Sequence, residues 1–356
     1  MEQRTLGASG IVVSDIAFGA MNFGFPGGPS DEQAVAMVRQ ALDAGVNLVD
    51  TADVYSQGES ERVVGLAIAG RRDEVVLATK FGLPMGEHPN ESGGSARWVR
   101  RAVEGSLRRL GTDYIDLYQM HRPDYRTDLE ETLSVLTDLV REGKVRAIGS
   151  STFPAELIVS AQWAADRSGS RRFVTEQPRY SIFNRRPETH VFPTLQSFGM
   201  GALTYAPLAS GWLTGRSDPT GGQRAQMEKR AFDLADPANQ TKVRAAGRLR
   251  ELADGMGVPM THLALGFVRS HPAVSTVLIG ARTPEQLDDL LAGADVVLDD
   301  SVLDRIDEIV EPGTDINPAD NFDATVPALA DKRLRRRHTI SRPALTHDRP
   351  NVVPAT

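Results

Sequence analysis

Along this chain an amphipathic helical pattern repeatedly gives way, at a glycine, to a short and nearly all-apolar run. ALDAGVNLVDTA (41–52), LRRLGTDYIDLYQMH (107–121), LVREGKVRAIGSS (139–151) and LQSFGMGALTYAP (195–207) all read this way. Gly45, Gly111, Gly143 and Gly199 stand where a helix ends in a left-handed residue. Runs apolar on both faces are what parallel strands covered by helices require. Helix starts are marked as well. Ser30 with Gln33, and Thr127 with Glu130, have capping-box spacing, and Thr283-Pro284 places proline at a first helical position. Strands are expected near 14–18, 46–50, 75–80, 114–120, 145–150, 173–177, 200–206 and 275–279. Eight alternating βα units predict a single-domain (β/α)8 TIM barrel over residues 1–312. The opening QRTLGASGIVVS predicts an N-terminal β-hairpin with a Ser-Gly turn, placed across the bottom of the barrel.

Two segments depart from the repeat. Residues 208–240 mix glycine, proline and charge over a length that predicts a functional loop on the top face. Residues 313–356 are rich in Pro, Asp and Arg and read as a C-terminal tail, peripheral or partly disordered. The basic run Lys332–Arg337 is a candidate for an anionic partner, although a solvated terminal helix is the simpler reading.

Composition narrows the chemistry. The 356 residues contain no cysteine, which removes disulfides, thiolate nucleophiles and cysteine-bound zinc. A formal net charge of -7 predicts no general attraction to nucleic acid or to an anionic membrane. No run of 18 apolar residues predicts a membrane span. The start, MEQRTLGASG, lacks the pattern of a secretory signal, so the expected location is the cytoplasm.

If the strands form a barrel, Asp50, Lys80, His121, Ser150, Gln177, Tyr205 and Gly280 end seven different strands at one rim, with Tyr55 just beyond Asp50. Taken singly, Asp50 is explained as a helix cap, Tyr55 as a core aromatic, Lys80 as a strand end in water and His121 as a packed residue. Together, Asp50, Tyr55, Lys80 and His121 form an acid–base site. A lysine inside an apolar barrel needs a partner, which Asp50 supplies. The Lys80 charge should then lower the Tyr55 pKa below its reference of about 10, readying the phenol to donate a proton. His121 is placed to hydrogen-bond the same carbonyl oxygen. No side chain delivers hydride, so a cofactor is required.

DTADVY (50–55), ATKFG (78–82), YQMHRPD (118–124), AIGSSTF (147–153), TEQPRYSIFNR (175–185), TYAPLASGWLTGR (204–216) and IGARTPEQL (279–287) resemble, in order, the signatures of the aldo-keto reductase superfamily. The resemblance spans about residues 4–312 and implies reversible NAD(P)H-dependent carbonyl reduction. It implies that Tyr55 is the general acid, that Lys80 and Asp50 tune it, and that His121 orients the small-molecule carbonyl substrate. It assigns Ser151, Thr152 and Gln177 to the nicotinamide carboxamide and Tyr205 to stacking on the nicotinamide ring. Pro207, Leu208, Ser210, Gly211 and Leu213 fall in the loop over the pyrophosphate. Gly280, Arg282, Gln286 and Asp289 fall at the adenosine end, where the helix start at Thr283 suits phosphate. Gly19 and Met21 are assigned backbone contacts with the cofactor. Arg282 favours the 2′-phosphate of NADPH over NADH, with NADH still admissible.

Two positions depart from the family's pattern. The common Ser-Asn pair is Ser151-Thr152 here, which puts one carboxamide contact in question. Asp288-Asp289-Leu290 replaces the usual acidic-Asn ending, and Leu290 cannot hydrogen-bond adenine. Other chemistries lack their marks: there is no G-x-G-x-x-G after the first strand, no Tyr-x-x-x-Lys, no clustered histidines and no G-x-S-x-G. Among similar barrels, the potassium-channel β-subunits offer a different role, an NADPH-binding redox-sensing subunit. Specificity is expected from the loops Phe23–Pro29, Phe81–Gly94, Arg122–Arg126 and part of 208–240, with Phe23, Tyr125 and Trp212 as candidate pocket walls. The sequence leaves the substrate and the oligomeric state open.

Overall fold

The computed structural model describes residues 1–216, 218, 220, 222, 225, 226, 228–321 and 326–336. Six positions of the 208–240 loop, part of the expected tail and Arg337 of the basic run lie outside them. Ten strands are described: β1 (Gln3–Thr5), β2 (Val12–Ser14), β3 (Ile16–Gly19), β4 (Leu48–Asp50), β5 (Val76–Phe81), β6 (Ile115–Met120), β7 (Val145–Ser151), β8 (Thr175–Gln177), β9 (Gly201–Thr204) and β10 (Val274–Ile279). Strands β3 to β10 run parallel in chain order, and β10 closes on β3. This is the expected (β/α)8 barrel. Helices such as Asp31–Asp43, Ala96–Leu110 and Leu129–Arg141 cover the strands from outside. No helix among the described residues is long and apolar enough to cross a membrane.

The local punctuation acts largely as its chemistry requires. Gly45, Gly111, Gly143 and Gly199 have φ of 94°, 64°, 78° and 64°, the left-handed conformation that lets a helix turn into the next strand. Ser30 and Gln33 form the reciprocal capping box, and Thr283 caps the helix opening at Pro284. The Thr127–Glu130 expectation is corrected. Asp128 is the cap, accepting from the Glu130 N–H, because the Thr127 hydroxyl is drawn to the Asp124 carboxylate at 2.7 Å.

β1 and β2 pair antiparallel as the expected hairpin, with Gly10 at φ 77° after a short turn of 3₁₀-helix. Arg4 donates to the carbonyls of Arg269 and Val274, and Ser275 donates to the carbonyl of Thr5, so the hairpin lies at the strands' N-terminal ends. Leu6 and Val13 join Ala17, Leu48, Ala78, Leu117, Ala147, Leu203 and Leu278 in one buried apolar cluster within the barrel. Each large side chain there contributes about 1.5–3 kcal/mol by leaving water. The barrel floor is therefore dry and apolar, and the polar inward residues gather at the opposite end.

The chain falls into two units, residues 1–323 and 324–356. Within the first, the segment after Gly313 is tied to the barrel elements. The Arg185 N–H donates to the Thr314 carbonyl, Asp315 bridges to Asn184, and Asn317 and Asp320 are buried. In the second, Pro327–Ala330 is one helical turn and Lys332–Arg336 is exposed, with Arg333 paired to Asp331.

Candidate active site

The ends of the strands carry the site. Asp50 is the last residue of β4, and Lys80 lies one residue from the end of β5, level with Gln119 of β6. Lys80 is fully buried, and its Nζ contacts three oxygens: the Asp50 carboxylate, the Thr51 carbonyl at 2.9 Å and the Tyr55 hydroxyl at 3.4 Å. Asp50 in turn accepts from Gln119 and Gln177 amides, each at 3.0 Å. A buried ion pair costs less when its remaining lone pairs are satisfied in this way. The His121 ring stands edge-on to the Tyr55 ring, with centroids 5.6 Å apart. The four residues of the expected constellation therefore meet.

The electrostatics differ from the sequence expectation at Tyr55. Burial pushes the Tyr55 phenol above its usual pKa, and the nearby Lys80 charge, opposed by Asp50, only partly offsets the rise. The expected fall below about 10 is thus corrected, because desolvation outweighs the attraction of an ammonium already shared with Asp50. Tyr55 is held as the neutral phenol, the form that can donate. Burial would lower the Lys80 pKa, but Asp50 and Tyr55 together raise it, so Lys80 stays charged. Burial, then the charges of Lys80 and Arg122, hold His121 well below its usual value, so it is neutral at physiological pH.

Tyr55 rides on a strained turn. Ser56 and Gln57 have φ of 50° and 56°, and Ser56 Oγ fastens the turn to the Phe23 carbonyl at 2.8 Å. Among the described residues the other non-glycine positions with positive φ are Thr152, Ala206, Ala209 and Ser210. All six lie in three rim loops, following β4, β7 and β9. Such conformations cost about 1–3 kcal/mol each and persist where surrounding contacts enforce them.

These loops border a cavity of about 780 Å³. Of the residues singled out from sequence, Gly19, Met21, Asp50, Tyr55, His121, Ser151, Gln177, Tyr205, Pro207, Leu208, Ser210, Gly211, Gly280, Arg282, Gln286 and Asp289 line it. Lys80 lies behind the wall, against Asp50 and Tyr55. Ser150, Thr152 and Leu213 are not among the lining residues. The Ser150 hydroxyl donates to buried Glu176 at 2.5 Å, the Thr152 hydroxyl accepts from Arg122 at 2.9 Å, and Leu213 is in the hydrophobic core. Phe23 and Trp212 are likewise core residues, and Met21, Phe25, Val54 and Leu83 supply apolar wall instead.

At the 280–290 end several groups are already engaged. Gln286 Oε1 accepts from the Arg282 N–H at 3.0 Å, and the Thr283 hydroxyl caps the Gln286 N–H. The Asp289 carboxylate accepts from Thr261 at 2.9 Å and lies 3.1 Å from His262 Nε2, so it does not simply replace a missing asparagine. Elsewhere in the lining, the Tyr205 hydroxyl is buried without a hydrogen-bond partner.

Sequence reasoning missed Gln119, which joins Asp50 to Gln177, and Arg179, which links the Ser210 hydroxyl at 3.0 Å to the Asp320 carbonyl at 2.9 Å. It also passed over Asp53 and Glu61, acids buried beneath the Tyr55 turn. Gln119 was detectable as a polar residue in the otherwise apolar final stretch of its strand, LYQM. Arg179 depends on a contact about 140 positions away, which no local pattern records.

Comparison with known proteins agrees with this geometry. The model of the Aldo/keto reductase family matches residues 15–311. An uncharacterized oxidoreductase of Bacillus subtilis, YrpG, is 34% identical over 87% of this chain and 96% of its own length. A probable voltage-gated potassium channel subunit beta of Arabidopsis thaliana is 34% identical over 87% of this chain and 97% of its own length. The aldo-keto reductase YhdN of Bacillus subtilis is 34% identical over 82% of this chain and 88% of its own length. A closed barrel with Asp50, Tyr55, Lys80 and His121 at its polar rim, matched from its first parallel strand to beyond its last, belongs to the aldo/keto reductase family.

Proposed function

We propose that the protein reduces an aldehyde or ketone to the alcohol with hydride from NADPH, Tyr55 giving the proton to the carbonyl oxygen. The observation that carries this reading is the Tyr55 hydroxyl 3.4 Å from a buried, Asp50-paired Lys80 at the edge of a large cavity. As the carbonyl oxygen gains charge, Tyr55 donates its proton, and the adjacent ammonium stabilises the phenolate left behind. Neutral His121 can donate a hydrogen bond to the same oxygen without a competing charge.

The residues fit a nicotinamide dinucleotide. Ser151 and Gln177 would hold the carboxamide, Tyr205 would face the ring, and Pro207, Leu208, Ser210 and Gly211 would flank the pyrophosphate. Gly280 and Arg282 would take the adenosine end. Gly19 lets its strand approach closely, since a Cβ there would meet the Ile279 carbonyl at 3.3 Å. When bound, the dihydronicotinamide supplies the hydride that no side chain can. Arg282 supports NADPH over NADH through its charge.

A second reading, an NADPH-binding regulatory subunit, is favoured by the similarity to a protein named as a potassium channel β-subunit. One assay separates the two: turnover of a panel of aldehydes, ketones and sugars with NADPH and with NADH, by the native chain and by Arg282→Ala. The reductase reading predicts sustained turnover of some member and a larger loss with NADPH than with NADH in the variant. Turnover slower than about one per minute for every carbonyl would support the regulatory reading. Equal losses for both cofactors would remove the basis for NADPH.

A further inference from the structure

Arg122 follows His121 directly, at the rim end of β6, and lines the cavity in a half-buried position. Its Nη1 donates to the His121 carbonyl at 2.7 Å and to the Thr152 hydroxyl at 2.9 Å, which fixes the guanidinium in place. Neither partner carries charge. Among the described residues no carboxylate forms an ion pair with it, unlike Arg109, Arg185 and Arg269, which are each paired to an acid. One buried acid, Glu176, feels the Arg122 charge. Its two oxygens are taken by the Ser150 hydroxyl and the Phe153 N–H, and burial raises its pKa to about 7. At the catalytic end Lys80 is balanced by Asp50 and His121 is neutral, which leaves Arg122 as a positive charge without a balancing partner.

The lining on one side of Arg122 is rich in hydrocarbon. In the strand order β3-β4-β5-β6, the strand ends and loops contribute Met21 and Phe25 with Asn22, then Val54 with Tyr55 and Ser56, then Leu83, then Arg122 itself, while β7 on the other side contributes Ser151. Apart from Asp50, which is paired with Lys80, the cavity's other charged residues come from elsewhere. Arg179 is bound to Asn184, Ser210 and Asp320, and Arg216, Glu228, Arg282 and Asp289 belong to the segments after β9 and β10. A partly desolvated cation set in place before binding, with hydrocarbon beside it, suits a ligand that has a carboxylate on an apolar body.

We propose that Arg122 forms an anion subsite beside the reacting centre, so that the preferred carbonyl substrates carry a carboxylate attached to an apolar group. This rests on the reductase reading and names its substrate class. The test compares 2-, 3- and 4-carboxybenzaldehyde with the matching methylbenzaldehydes, using NADPH, for the native chain, Arg122→Leu and Arg122→Lys. At least one carboxylate isomer should exceed its methyl counterpart in kcat/KM by roughly ten- to a hundredfold, the range of a charge-assisted hydrogen bond, mainly through KM. In Arg122→Leu that ratio should fall to about one, and Arg122→Lys should restore part of it. A ratio near one in the native chain would overturn the proposal. So would a preference that survives in Arg122→Leu, or an Arg122→Leu loss shared equally by both aldehyde series together with weaker NADPH binding. Fluorescence-monitored binding of benzoate to the NADPH-loaded protein separates this idea from the reading beneath it. If neither these aldehydes nor any carbonyl of the wider panel is reduced, but benzoate binds the native chain and not Arg122→Leu, the subsite stands and the reductase reading falls. If benzoate binding is absent, or indifferent to Arg122→Leu, the subsite falls.

Discussion

Asp53, two residues before Tyr55, is buried with neither carboxylate oxygen hydrogen-bonded. Burial first, and the charge of Glu61 second, raise its pKa from 3.8 to about 8, while Arg109, the neighbouring Val54 N–H and Lys80 pull the other way. Arg109 is committed to Glu61, which also accepts from Thr79 at 2.6 Å. Between pH about 4 and about 8 the folded chain therefore holds a proton that the unfolded chain releases. The stability from that proton is complete below about pH 4 and is lost as pH rises through about 8. Asp53→Asn should flatten this slope, a difference on the order of a few kcal/mol. Thermal melts at pH 5 and pH 9 check it: the native chain should lose more Tm than the variant, and equal losses would refute the assignment. DTADVY displays Asp53 in plain sequence. Its lack of partners was illegible there, because the acid and the cation that could influence it come from separate helices. The same cause underlies the Tyr55 discrepancy: the sequence names the charge beside a phenol but not the water it has lost.

At the scale of elements, two kinds of glycine have to be distinguished. Gly45 ends a helix at φ 94° with open space around the position of a Cβ. Gly45→Ala should cost only the backbone strain, about 1 kcal/mol. Gly201 opens β9 in ordinary extended backbone, but a Cβ there would meet the Ser275 Oγ at 2.4 Å and the Gly7 N at 2.7 Å. Gly201→Ala should cost more, on the order of 2–3 kcal/mol, by prising the hairpin from the barrel floor. Urea denaturation of both variants gives the comparison, and an equal or smaller cost for Gly201→Ala would contradict it. Helix-ending glycines were legible because a helix C-terminus is a local event with a local signature. The crowding at Gly201 arises where β9, β10 and the hairpin converge, and no window of sequence contains all three. The Thr127 cap failed for a related reason, since Asp124 in the preceding loop competes for its hydroxyl.

Across the whole of the first unit, the segment after the last barrel helix reaches back to the site. Lys242, fully buried, pairs with Asp320 and lies 5.2 Å from the Trp212 ring centroid, and Trp212 stacks on Phe232 at 5.0 Å. Arg179 connects the Asp320 carbonyl to Ser210 on the cavity loop. Lys242→Met should strand the Asp320 charge and cost about 3–5 kcal/mol, whereas Lys242→Met with Asp320→Leu should recover much of the loss. Chemical denaturation of the single and double variants decides, and a harmless single variant would contradict the assignment. The barrel itself was legible because its βα alternation repeats eight times, with a glycine ending the helix at Gly45, Gly111, Gly143 and Gly199. The support given by residues 313–321 was not, because a polar, proline-containing segment resembles a solvated one until its partners are known. The meeting of Asp50, Tyr55, Lys80 and His121 was legible for the opposite reason: barrel geometry brings residues at successive strand ends together, whatever separates them in sequence. The central claim is that Tyr55 is the proton donor. It is tested most directly by Tyr55→Phe, measuring NADPH affinity by fluorescence titration alongside kcat for the best aldehyde of the panel. The account predicts an NADPH Kd within about threefold of the native value and a loss of kcat of at least a hundredfold, the scale of general acid catalysis. A kcat retained within about threefold, with the cofactor still bound, would contradict it.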